Sequence, residues 1–152
     1  MGTRRKAREL VLQACYAFEF SGNPQLQVLE AIILSSGEKP IVVTFAASLY
    51  RKATDHAEEV DSMIKKWAAN WEFSRIAIID RILLRMAICE FMHFEDIPPK
   101  VSIDEAIEIA KLYSTENSGR FINGLLDAIL AHLEKQGTLK KAGRGLNDGQ
   151  HK

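Results

Sequence analysis

The chain has 152 residues, 47% of them hydrophobic, with 20 basic and 20 acidic side chains. That length suits one domain with a sizeable core, and the lack of any long apolar run argues against a membrane span. The basic N-terminus is not followed by an uninterrupted apolar run, which argues against a signal peptide, so a soluble, cytoplasmic protein is expected.

The zero net charge hides an uneven distribution. Residues 1–8 carry Arg4, Arg5, Lys6 and Arg8 with no acid, and residues 135–152 carry Lys135, Lys140, Lys141, Arg144 and Lys152 against Asp148 alone. The body between them keeps 11 basic and 19 acidic residues. Basic ends on an acidic body fit a polyanion partner, although the lysines of the tail are read as aiding solubility. Cys15 and Cys89 lack CxxC spacing and lie in apolar helical patterns, which predicts core residues.

Nearly every segment has helical period, and none alternates as a strand. The first helix is predicted over about 4–20, stopping at Ser21-Gly22-Asn23. Pro24 suits the first turn of a second, reaching about Leu34. A third helical region runs from about Ile41 to Trp71, with a bend near Thr54. A fourth runs over about 75–93 with Ser74 as its N-cap. "EDIPPK" breaks the pattern, because Pro98 and Pro99 cannot continue a helix. Ser102, three residues before Glu105, has capping-box spacing for a fifth helix over about 103–113. After "STENSG" a sixth covers about 120–135 and ends at Gly137. The remainder, 137–152, is Gly-rich and basic, and disorder is expected there.

Around the fourth helix, Ile76, Ile79, Leu83, Met86, Phe91 and their neighbours cover the whole circumference. An all-round apolar helix is a central one. Its charges, Asp80, Arg81, Arg85 and Glu90, must then reach a groove, an ion pair or a partner. On the first helix, Ala7, Leu10, Val11, Ala14, Ala17 and Phe18 share one face, predicted to pack inward. Arg5, Lys6, Glu9, Gln13, Tyr16 and Phe20 share the opposite face, with Arg4 and Arg8 on the flank. Guanidinium groups for phosphate, an amide for a base edge and aromatic rings for stacking suit single-stranded RNA. In "NSGRFIN", Arg120 and Phe121 stand at a helix start, where free amides attract anions, and Phe121 lies off the stripe of Ile122, Leu126, Ile129 and Leu133. Packing of Tyr16, Phe20 and Phe121 against neighbouring helices is the plainer alternative.

The segments "RRKARELVLQACYAFEF", "IDRILLRMAICEF" and "PPKVSIDEAIEIAKLYSTENSGRFINGLLDAIL" together resemble the NusB family of transcription antitermination factors over about 4–135. The resemblance implies an all-α fold of two packed three-helix bundles, spanning 1–136. It implies binding of the boxA element of nascent ribosomal RNA together with NusE, a small-subunit ribosomal protein, within the RNA polymerase antitermination complex. By position it implies RNA contacts from Arg4, Arg5, Lys6, Arg8, Gln13, Tyr16, Arg120, Phe121 and Asn123. Asn117 stands where the family often has an acid, which removes a negative charge near the phosphate path. Asp80, with Arg81 beside it, falls on an acidic position of the NusE-facing surface.

Rival readings are an adaptor or homodimer using the outer face of the first helix, and a module like the N-terminal domain of ribosomal RNA cytosine methyltransferases. Catalysis is not expected, since no nucleophile–base arrangement is visible. The pairs among Asp104, Glu105 and Glu108 read as a solvated face. His56, His93, His132 and His151 lack zinc-ligand spacing, so no metal or cofactor is expected.

Overall fold

The computed structural model describes residues 2–68, 73–115, 117–143 and 145. Among these, every regular element is helical, as the all-α expectation requires, and no helix is long and apolar enough to cross a membrane. The chain divides into two compact units, 1–56 and 57–152.

In the first unit, α1 (Thr3–Ser21) packs chiefly on α3 (Pro40–Asp55). α1 ends at Gly22, whose φ of 75° is left-handed and suits a residue without Cβ. Between them, α2 (Gln25–Val28) passes into a π-helical turn, Leu29–Leu34. Ser35 N–H reaches back five residues to Glu30 O at 3.2 Å. Val11, Ala14, Cys15, Leu29, Ile33, Leu49 and Tyr50 form the core of this unit. Tyr50 is fully buried, and its hydroxyl donates to Gln25 O at 2.9 Å. Burial, and then the Cys15 thiol, push that phenol up to about 12.

The bend expected near Thr54 is a break at His56, after which α4 runs from Ala57 to Trp67. In the second unit α4, α6 (Pro99–Tyr113) and α7 (Ser118–Gln136) all pack on α5 (Ile78–His93). Eleven of the 16 residues of α5 are buried, so the all-round apolar pattern does mark a central helix within this unit. Its charges find partners there. Arg85 is fixed to Asp61 by three hydrogen bonds of 3.0–3.1 Å, and the Glu90 carboxylate accepts from Ser102 Oγ at 2.6 Å.

Two predicted caps are corrected. Ser74 does not cap α5. It lies in a 3-10 turn, Phe73–Arg75, and Ala77 holds the N-cap position. Ser102 does not cap α6, because that helix begins at Pro99, where a missing N–H costs nothing. Ser102 is therefore one turn inside, free to serve Glu90. α7 closes at Gly137 as expected, with φ 69°. Just beyond, where disorder was expected, the chain is tied back: Lys141 Nζ donates to the Glu90 and Phe94 carbonyls at 3.0 and 2.8 Å. Tail positions 144 and 146–152, His151 among them, and the end of the third predicted helix at 69–71, lie outside the described residues.

Candidate nucleic-acid interface

The first turn of α1 has no acid. Arg4, Arg5 and Lys6 stand there instead, at the positive end of the helix macrodipole, where cations are unfavourable. A local rule broken this way points to a function that uses the excess positive charge. The first amides of a helix have no intrahelical acceptor, so an anion at this end meets backbone donors and cationic side chains together. Arg4 and Lys6 are exposed and Arg5 is half-buried. Lys6 Nζ lies 3.7 Å from Glu38 Oε2, a loose exposed pair.

Along the outer stripe of α1, Gln13 is exposed, Tyr16 is 43% exposed and Phe20 is 61% exposed. The rings of Tyr16 and Phe20 are 4.8 Å apart and tilted by 47°. They thus form a two-ring platform open to solvent, about three to four turns beyond the basic start. Arg8 departs from expectation. It is only 4% exposed, so it cannot lie along a solvent-facing contact surface. The reason is geometric. The buried arc of α1 takes in Leu12 and Cys15 as well as Ala7, Leu10, Val11 and Ala14 of the predicted stripe, while Ala17 and Phe18 are half-buried, and Arg8 is one and two turns before Leu12 and Cys15. Its guanidinium lies over the ring of Phe45 on α3, with Arg4 over the same ring.

In the second unit, Asn117 precedes α7 and is exposed, as are Arg120 and Asn123, while Phe121 is half-buried. Ser118, Ile122, Leu125 and Leu126 are buried. Phe121 is therefore at the margin of the packed stripe, with part of its ring accessible. The close seat of this turn depends on Gly119, where a Cβ would stand 3.3 Å from Ile107 Cγ2 of α6. A groove of about 800 Å³ opens beside it, with Trp67, Arg75, Asn117, Arg120 and Phe121 among its walls. Cationic, amide and aromatic groups share this concavity with Asp80 and with apolar Ile76 and Leu125; the first three are the groups that can meet phosphate and base.

Asp80 was expected to seek a donor on another protein because a lone carboxylate in an apolar helix is costly. The premise fails. Asp80 is 6% exposed, and its two oxygens accept from Ser114 Oγ at 2.7 Å and Ser118 Oγ at 2.8 Å. Ser118 also lies 2.9 Å from Ser114 Oγ and 3.0 Å from Thr115 Oγ1. The carboxylate thus supplies α7 with the acid its own first turn lacks. Arg81 is half-buried, its guanidinium 5.1 Å from the Phe73 ring centroid. On α6, Glu108 pairs with Lys111 at 2.9 Å on an exposed face, as a solvated surface does. Phe45 escaped the sequence reading, because nothing in "PIVVTFAASLY" separates it from an ordinary core aromatic.

The model of the NusB family matches residues 5–131. The transcription antitermination protein NusB of Salinibacter ruber is 52% identical over 147 residues, covering 96% of this chain and 92% of that protein. The solved NusB of T. maritima superposes with a TM-score of 0.78 at 37% identity, covering 84% of this chain and 90% of that one. A crystal structure of the antitermination factors NusB and NusE in complex with double-stranded RNA shares the fold, with a TM-score of 0.77 at 24% identity, over 86% and 97% of the two chains. A basic aromatic helix, an arginine–phenylalanine helix start and an all-helical body matched from residue 5 to residue 131 place this chain in the NusB family.

Proposed function

We propose that this protein is a non-catalytic transcription antitermination factor of the cytoplasm. It binds the boxA element of nascent ribosomal RNA together with NusE and acts within the RNA polymerase antitermination complex. The observation that carries the reading is the outer face of α1, where Arg4, Arg5 and Lys6 at the positive helix end lead into exposed Gln13 and Tyr16. The antitermination name of the Salinibacter ruber relative and the solved assembly of NusB, NusE and RNA support it. Arg4, Arg5 and Lys6 neutralise phosphates. Tyr16 stacks on a base, and Gln13 bonds a base edge. At the start of α7, Arg120 takes phosphate, Phe121 stacks, and Asn117 and Asn123 offer amides where an acid would repel. Arg8 contributes charge from its buried position. Arg81, half-buried, is assigned to the NusE-facing surface.

The test is a titration of labelled single-stranded boxA RNA at several salt concentrations, with and without NusE. The expected result is a log affinity that falls linearly with log salt, at a slope of about 0.7 per phosphate neutralised. Arg5→Ala should lower affinity for all sequences and reduce that slope by about one contact's share. Salt-independent or absent RNA binding by the pair with NusE would favour a protein-only adaptor.

A further inference from the structure

Phe45 does more than fill the α1–α3 contact. Its ring is 8% exposed, yet two arginines of α1 converge on it. Arg4 Cζ lies 4.2 Å and Arg8 Cζ 5.4 Å from the ring centroid. Being four residues apart on a helix, their side chains leave α1 in the same direction, and like charges so placed repel. The attraction of both guanidinium groups to the electron-rich ring offsets that repulsion.

The two guanidinium groups differ in what they can reach. Arg8, 4% exposed, is shut in. Arg4 is exposed. An exposed arginine ordinarily samples many rotamers and loses that freedom when a ligand fixes it. Over the Phe45 ring, Arg4 has surrendered much of that freedom before any ligand arrives. An arginine already held in one place gives up less freedom when a phosphate meets its charge.

We infer that Phe45 is a positioning residue for RNA binding: its ring holds the Arg4 guanidinium ready for a backbone phosphate, with buried Arg8 keeping the potential there positive. The inference rests on the RNA reading above and adds to it a residue that does not itself touch RNA.

The experiment uses the full chain with NusE and labelled single-stranded boxA RNA, titrated at several salt concentrations. Phe45→Leu removes the ring and should weaken binding about three- to ten-fold. The salt slope should stay unchanged, since the same phosphates are neutralised. Phe45→Tyr keeps the ring and should bind as the unsubstituted protein does. Arg4→Ala should reduce the slope, and adding Phe45→Leu to it should cost nothing further. Thermal melts confirm that each variant is folded at the assay temperature, and Phe45→Met replaces Phe45→Leu if the latter is not. Unchanged affinity in the ringless variants would overturn the inference. So would an equal loss in Phe45→Tyr, or losses that add in the double variant, because each would mean that Phe45 acts through packing alone. If the unsubstituted protein shows no salt-dependent binding, the RNA reading itself falls, and the inference with it.

Discussion

Asp80→Ala separates an internal role for this carboxylate from a role in partner binding. The substitution deletes the acceptor of two hydroxyl hydrogen bonds, of 2.7 and 2.8 Å, at a site 6% exposed. A hydrogen bond to a charged group contributes about 1.5–3 kcal/mol. Ser114, half-buried, recovers part of its loss from water, whereas Ser118 is 2% exposed and falls back on its hydroxyl neighbours. The start of α7 also loses a favourable charge, worth about 0.3–1 kcal/mol. The expected cost is roughly 2–4 kcal/mol, a large share of a typical domain's stability. For a chain of this size that lowers Tm by about 5–15 °C. Asp80→Asn keeps one acceptor, and the hydroxyls can turn to meet its amide, so about 1 kcal/mol is expected there. Thermal melts by circular dichroism measure both, alongside affinity for NusE. An Asp80→Ala protein that melts within a degree of the unsubstituted one would refute the reasoning. If that same protein lost NusE affinity, the carboxylate would belong to the partner surface after all.

Phe121→Ala should weaken boxA RNA binding by about 1–3 kcal/mol with the salt slope preserved, since it removes stacking and no charge; a change in slope would point to an ionic role. Asp61→Ala takes away the carboxylate that holds Arg85, whose side chain is 5% exposed. Because a buried guanidinium is left behind, melting should show a loss of about 2–3 kcal/mol, and a neutral result would mean that the pair is dispensable. Tyr50 contributes to the fall of stability at alkaline pH. Its folded value of about 12 lies above the ordinary phenol value of 10.0, so the unfolded chain releases the proton first. Its contribution is whole below pH 10 and is lost as pH rises towards 12, by at most about 2–3 kcal/mol. Tyr50→Phe should flatten that decline in urea titrations run from pH 9 to 11.5.

The helical period, the inward stripe of α1 and the all-round apolar α5 follow from local sequence, because burial repeats every 3.6 residues whatever the helix packs against. The stops at Gly22 and Gly137 were legible for a similar reason, since only a residue without Cβ takes φ of 75° and 69° at no steric cost. The basic aromatic face of α1 was also readable, as were Arg120 and Phe121 at the head of α7. What could not be read were contacts between segments far apart in the chain. Asp80 meets hydroxyls 34 and 38 residues away, and Arg85 meets Asp61 24 residues back. Ser102 resembles a cap until Glu90 is seen across from it. Arg8 illustrates the limit most directly. A wheel gives an angle around one helix, whereas burial depends on how wide an arc the neighbouring helix covers, and only the packing of α3, with Phe45 over that flank, decides it.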